Sequence, residues 1–230
     1  MPPPDPARGV FETLLLLRDG RVQALEGHLQ RLEHSTRQLY GLPLPSGPRA
    51  EITAQLTRAA AESPRPQRAR IDAVPHAGRL RLSLVISAVP AGRPVSLAPL
   101  VIPGGLGAHK WCDRRLVEPA DAQRVPLIVD ADGSVLEAAW ANIFILEGDD
   151  LITPPLDGRL LPGVTRARLL ALAPRLGLRV RETPIMLTDA RAARTMLLTS
   201  SLRLAVPASF ARHPQGHPGV DRLRDALAAS

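Results

Sequence analysis

The sequence predicts an α+β fold in two lobes with mixed sheets, and three observations carry that prediction. Short apolar or alternating stretches bounded by Gly, Pro and Asp recur along the chain, as strands do. Helical periodicity appears in only a few places between them. A glycine-rich stretch, PGGLG (Pro103 to Gly107), reads as a linker between an N-terminal lobe, residues 1–103, and a C-terminal lobe, residues 104–230.

The elements follow in order. GVFETLLLL is apolar and strand-compatible from Val10 to Leu17; RDG turns the chain, and RVQAL returns as the second strand of a hairpin. In EGHLQRLEHSTRQLYG, Leu29, Leu32, Thr36 and Leu39 share one helical face, and Gly41 closes the helix. Glu51 to Ala61 forms a second helix. The stretch from Arg65 to Pro99 is broken by prolines, but RLRLSLVISAV alternates as a strand and VSLAPLVIP is another. Beyond the linker, WCDRRLVEPADA reads as a short helix. VPLIVDADGSVLEA forms two strands around an Asp-Gly turn, and NIFILEGDDLITP a further hairpin. GVTRARLLALAPRLG is a helix running from Gly163 to Gly177. LRVRETPI and RTMLLTS are strands flanking a helical turn at Thr188 to Ala192. No internal repeat is visible.

Composition narrows the function classes. The 230 residues suffice for a sizeable core, and with aromatics at 3% that core must be filled by Leu, Val, Ile and Ala. The net charge of +7 comes from scattered arginines without interleaved aromatics, so nucleic acid is not the expected partner. One cysteine, Cys112, excludes an internal disulfide and a multi-cysteine metal site, and the histidines lack metal-ligand spacing, so no metal is expected. The N-terminal MPPPDPARG has no signal-peptide pattern, and the run Leu14 to Leu17 is too short to span a bilayer. A cytoplasmic protein without a membrane partner is the expectation.

One residue stands out. Of 29 lysine plus arginine residues, 28 are arginine and one is Lys110, in GLGAHKWCDRR. An amine can lose its proton and attack a carbonyl; a guanidinium effectively never does. A chain that otherwise prefers arginine can still need an amine for covalent chemistry, although a lone lysine that survived by chance gives the same count.

Five pieces, in order, shift that balance: GVFET with HLQRL, HKWCDRRL, DGSVLEAAWANIF, LPGVTRARLL, and MLLTSS. Together they resemble the class IV aminotransferases, pyridoxal-phosphate enzymes of the D-amino acid and branched-chain aminotransferase-like fold, over most of the chain from Gly9 to about Pro207. The resemblance implies pyridoxal 5′-phosphate as cofactor, with Lys110 as its Schiff-base lysine. Glu137, taken alone a polar residue at a strand end, matches the carboxylate that keeps the cofactor's ring nitrogen protonated. Arg31 matches the phosphate-binding arginine. Val164 and Thr165, in PGVT at a helix start, match phosphate contacts suited to free backbone N–H groups. Ser200, with Ser201 beside it, matches the hydroxyl that closes the phosphate cup; two serines after a strand also suit a plain turn.

Some family features are absent. Only eight residues precede Gly9, so an N-terminal strand is short or missing. Asp113, Arg114 and Arg115 stand where many members carry a tyrosine, and Tyr40 lies elsewhere. The HKWCDRR form looks most like aminodeoxychorismate lyase, which converts 4-amino-4-deoxychorismate to 4-aminobenzoate and pyruvate in folate biosynthesis. Arg70 and Arg114 are then candidates for the substrate's carboxylates. An aminotransferase acting on branched-chain or D-amino acids is the alternative. An inactive, cofactor-free relative or a basic nucleic-acid-binding protein is a third reading. The family also implies a homodimer.

Overall fold

Alternation along two arginine-rich stretches builds the first sheet. The computed structural model describes residues 2–89, 94–119, 121–212 and 215–230. Strand β1 (Val10–Leu16) pairs antiparallel with β2 (Gln67–His76), and β2 with β3 (Arg79–Ala88), in the order β1-β2-β3. One face of β2 buries Ala69, Ile71 and Ala73, and β3 turns Leu80, Leu82, Leu84 and Ile86 the same way. The helices α1 (Leu25–Tyr40) and α2 (Ser46–Glu62) supply Leu29, Leu32, Ile52, Leu56 and Ala60 to that core. Gly41 ends α1 in the left-handed conformation, its amide donating to the Arg37 carbonyl while the Leu42 amide donates to the Thr36 carbonyl.

A nine-stranded mixed sheet forms the second framework. Its strands are β4 (Val95–Val101), β5 (Val125–Val129), β6 (Ser134–Ala138), β7 (Asn142–Glu147), β8 (Asp150–Thr153), β9 (Arg179–Glu182), β10 (Ile185–Met186), β11 (Met196–Ser200) and β12 (Leu204–Ser209). They run in the order β10-β6-β5-β4-β12-β11-β7-β8-β9, with parallel pairs at β4–β5, β4–β12 and β8–β9. Strand periodicity gives the sheet two apolar faces. Ile143, Ile145, Met196 and Leu198 join one core, with Ala190 of α4 (Leu187–Ala192). Phe144, Leu151 and Leu197 join the other, under α3 (Val164–Leu172) and α5 (Pro218–Ala229).

Contacts divide the chain into Met1–Ala91 with His109–Leu116, and Gly92–Ala108 with Val117–Ser230. This differs from a single cut after residue 103. Strand β4 belongs to the second unit because it lies between β5 and β12, and His109–Leu116 belongs to the first because it runs beside β1. The Phe11 amide donates to the Lys110 carbonyl at 2.9 Å and the Cys112 amide to the Gly9 carbonyl at 3.0 Å, around a Val10–Trp111 bridge.

Other elements differ from expectation for local reasons. RVQAL makes only a Leu16–Val22 bridge, because the left-handed Ala24 already turns the chain into α1. The helix expected in WCDRRLVEPADA is, among its described residues, a single 3-10 turn at Arg115–Val117. There Asp113 takes the Arg115 amide and guanidinium as local hydrogen bonds. In place of an N-terminal strand, Pro6–Arg8 forms a 3-10 turn, held by Tyr40 Oη donating to the Pro6 carbonyl and by the Asp5 amide donating to Asp113. Among the described residues no helix is long and apolar enough to cross a membrane.

Leu56 is fully buried while Val85 is 56% exposed. Leu56→Ala is expected to cost about 2–5 kcal/mol, and Val85→Ala no more than about 0.5 kcal/mol, read from urea unfolding midpoints.

Candidate functional site

In the first unit, strand alternation sorts two sets of functional groups. Val10, Glu12, Leu14 and Leu16 face the helices. Phe11 lies on the other side with Arg70 and Asp72 of β2. Glu12 is buried, and a buried lone carboxylate is costly. His28 and Arg31, one turn apart on α1, both reach it. His28 Nδ1 lies 2.7 Å from Oε2, Arg31 Nε donates to Oε1 at 2.7 Å, and Nη2 donates to Oε2 at 2.8 Å. Burial alone would raise the Glu12 carboxyl; the Arg31 charge and the bonds from His28 and Arg31 outweigh it and hold it at about 2. Burial pushes His28 below its ordinary value, against the pull of Glu12, and the charges of Arg31 and Lys110 add to the depression. A neutral His28 therefore donates Nδ1–H to Glu12.

Lys110 sits on the stretch beside β1, with its Nζ 4.9 Å from the centre of the Phe11 ring. Arg70 stacks on the same ring at 3.9 Å. The Arg70 guanidinium is also engaged by Asp72, at 2.6 Å from Nη2 and 2.9 Å from Nε. Cys112 donates its thiol to Asp72 at 3.2 Å; burial and that carboxylate push the thiol up to about 12, so it stays protonated. The sequence candidates Lys110 and Arg70 thus meet at Phe11, and Arg70 carries its own counter-charge. Arg114 is half-buried just after them, beside the buried Asp113, whose carboxyl Arg115 and the Asp5 amide hold well below the usual carboxylate range.

The second unit gathers a different set. Helix α3 begins at Gly163 without a side-chain cap, which leaves the first amides of Val164 and Thr165 to an outside acceptor. A side chain at Gly163 would overlap Asn142 Oδ1, so only glycine lets the helix start this close to β7. Asn142 donates to the Leu161 carbonyl at 2.9 Å, which fixes the approach. Across the ladder Asn142 faces Thr199, on the same side of the sheet as Phe144, Leu197 and α3. Thr199 Oγ1 is buried and has no hydrogen-bond partner among the described residues. Ser200 follows, its hydroxyl accepting from the Arg203 amide at 3.4 Å, with Ser201 next in the turn. Glu137 is buried on β6, and a bridge between Ala138 and Ala141 leads from it directly to Asn142. Glu137, Val164, Thr165 and Ser200 all belong to this unit.

The chain leading into the lysine stretch is fixed as well. Asp130 accepts from the Gly104 amide at 2.9 Å and from Arg159 Nη1 at 2.8 Å, which hold its carboxyl down at about 2. The Gly107 amide donates to the Arg159 carbonyl.

The sequence reading did not single out Glu12, His28, Asn142 or Thr199 one by one. GVFET, HLQRL, WANIF and LLTSS contain them. Only strand pairing reveals which members of those strings face a partner.

A buried unpartnered hydroxyl, an uncapped helix start and a glycine-only approach fit an anionic group such as a phosphate monoester. In the first unit the Arg31–Glu12 pair yields a prediction. The Glu12 carboxyl lies at about 2 in the fold against 4.5 for the free residue, so its stabilisation is full above about pH 4.5 and fades as pH falls toward 2. Glu12→Gln is expected to lose about 3 kcal/mol at pH 7. The gap from the parent should shrink as denaturation is repeated toward pH 2; a gap independent of pH would contradict the assignment.

Residues 108–209 match the family model for amino-transferase class IV. Over 81 residues the chain is 32% identical to a probable branched-chain-amino-acid aminotransferase of Thermotoga maritima, a match covering 35% of this chain and 30% of that relative. Among solved structures, a hypothetical aminotransferase from Mycobacterium tuberculosis in a PLP-bound form superposes with a TM-score of 0.82 at 23% identity, over 100% of this chain and 93% of the other. A putative 4-amino-4-deoxychorismate lyase from Legionella pneumophila gives 0.80 at 21%, over 97% and 91%. The match thus spans about a third of the curated relative's length, while the fold likeness extends over the whole chain. Residues 108–209 thus resemble the amino-transferase class IV family, and the chain shares the mixed α+β fold of the solved aminotransferase structure.

Proposed function

We propose that the chain is a pyridoxal-phosphate-dependent class IV enzyme, and that its reaction is the conversion of 4-amino-4-deoxychorismate to 4-aminobenzoate and pyruvate. The observation that carries the cofactor assignment is the buried, unpartnered Thr199 hydroxyl beside the uncapped start of α3. When bound, pyridoxal phosphate supplies an aldehyde that condenses with amines and a protonated ring that draws electrons from the attached carbon. Lys110 would hold the aldehyde through its amine. Glu137 would face the ring nitrogen and keep it protonated. The amides of Val164 and Thr165, the hydroxyls of Thr199, Ser200 and Ser201, and Arg31 would take the phosphate. Glu12 and His28 would keep Arg31 extended for that task.

Lys110, with its amine free, would be the base that takes the proton from the substrate ring carbon bearing the amine nitrogen. The form HKWCDRR and the fold likeness to the Legionella pneumophila lyase support the lyase reading. Arg114 is retained as a candidate contact for a substrate carboxylate. Arg70 is also retained, with Asp72 competing for its charge. A second reading, an aminotransferase for branched-chain or D-amino acids, is favoured by the likeness to the probable branched-chain-amino-acid aminotransferase of Thermotoga maritima. Homodimeric assembly and a cytoplasmic location complete the proposal.

The test is an absorbance spectrum with added pyridoxal phosphate. The parent protein is expected to gain a visible band that borohydride fixes to Lys110, and Lys110→Ala to gain none. With cofactor bound, the lyase releases pyruvate from 4-amino-4-deoxychorismate without an amino acceptor. An aminotransferase would instead convert the band to the pyridoxamine form on addition of glutamate or D-alanine. A colourless parent protein would remove both readings.

A further inference from the structure

The turn between β11 and β12 holds a cation that the fold itself does not use. Ser200 pairs with Leu204 across a three-residue turn, Ser201 to Arg203. Such turns usually place glycine at the left-handed position that follows. Here the buried Leu204 occupies it at φ 55°. A non-glycine residue is strained there, and such strain concentrates at active sites and ligand clamps. The chain thus accepts a strained leucine, and the residue just before it is Arg203.

The Arg203 guanidinium lies 4.6 Å from the centre of the Trp140 ring. Trp140 stands in the short connection between β6, which carries Glu137, and β7, which begins at Asn142. Several arginines elsewhere in this chain meet carboxylates: Arg31 with Glu12, Arg70 with Asp72, Arg159 with Asp130, Arg166 with Glu182. Among the described residues no carboxylate pairs with Arg203, although it is half-buried. Burial depresses its pKa with no acid to oppose the shift. A stacked, partly desolvated guanidinium keeps its planar fork free for an acceptor of matching shape.

We propose that Arg203, oriented by the Trp140 ring, is a carboxylate-binding residue of the second unit that recognises an anionic group of the substrate. The inference rests on the enzymatic reading above for the word substrate, but the anion site itself does not. A carboxylate matches the guanidinium with two parallel N–H···O bonds, whereas a neutral amide of the same size offers one acceptor and a clashing donor.

Glutarate, a dicarboxylate without a reactive carbonyl or amine, is the probe, and neutral glutaramide its control. Both are titrated calorimetrically into cofactor-loaded protein, with intrinsic tryptophan emission followed in parallel. Glutarate is expected to bind saturably and glutaramide at least about tenfold more weakly. Arg203→Gln should weaken glutarate about tenfold, leave glutaramide unchanged and retain the visible band of bound cofactor. Arg203→Lys, keeping the charge without the fork, should recover part of the loss, and Trp140→Phe should bind better than Trp140→Leu. In turnover, Arg203→Gln should raise KM far more than it lowers kcat. The proposal is overturned if glutarate does not bind the parent protein, if glutaramide binds equally well, or if Arg203→Gln leaves glutarate affinity unchanged. Should the parent protein fail to take up cofactor, the enzymatic reading falls, and the dependence of glutarate binding on Arg203 still decides the anion site.

Discussion

A single buried carboxylate organises the first unit. Glu12 projects from β1 into a core otherwise made of Leu, Ile and Ala, where an unmatched charge would destabilise the fold by several kcal/mol. Its compensation comes from one helix. His28 and Arg31 share a face of α1, and only when α1 lies against β1 can both reach the same carboxylate. The ion pair therefore fixes the seat of the helix and the direction of the guanidinium together. Arg31 is held by two bonds from Nε and Nη2. An arginine so braced loses less rotational freedom on meeting an anion than a loose one does.

In the second unit the proposed phosphate contacts do not include a braced cation. They rest on backbone geometry and an unspent hydroxyl. Gly163 lets α3 start against Asn142, and the Asn142 amide holds the preceding carbonyl of Leu161 in place. The helix amides then point where a side-chain cap would normally sit. Thr199 adds a buried hydroxyl that the protein leaves unsatisfied. Leaving a buried polar atom without a partner costs about 1–3 kcal/mol. Such a cost is expected where the native partner is a ligand.

Much of the architecture was legible in periodicity. Alternation in RLRLSLVISA, the Asp-Gly turn before Ser134 and the glycines at 163 and 177 predicted their elements well. The failures share a cause. Pro75 and Pro207 lie inside β2 and β12, the strands that periodicity missed, because proline masks the strand signal while tertiary pairing tolerates it. The unit boundary was hidden because β4 pairs with strands that follow it by many residues, while His109–Leu116 returns to a strand that precedes it by a hundred. The same reasoning applies to the site. Lys110, Arg31 and the helix start were candidates because each stood in a motif. Thr199 was not, since only the register against Asn142 distinguishes its face from that of Ser200.

The solitary lysine can now be weighed against what arginine does in this chain. Glu12, Asp72, Asp113, Asp130 and Asp150 each hold a guanidinium, so the work of pairing buried or half-buried carboxylates has gone to arginine. A guanidinium suits that work because it offers a rigid fork and keeps its charge. The same permanence disqualifies it from attacking a carbonyl or accepting a proton. Lys110 stands where its backbone is locked to Phe11 and its amine lies over an aromatic ring, beside an arginine already matched by Asp72. Substituting arginine there would preserve the charge and the ring contact, so neither explains why this position alone is lysine. A task that requires an amine able to shed its proton does explain it.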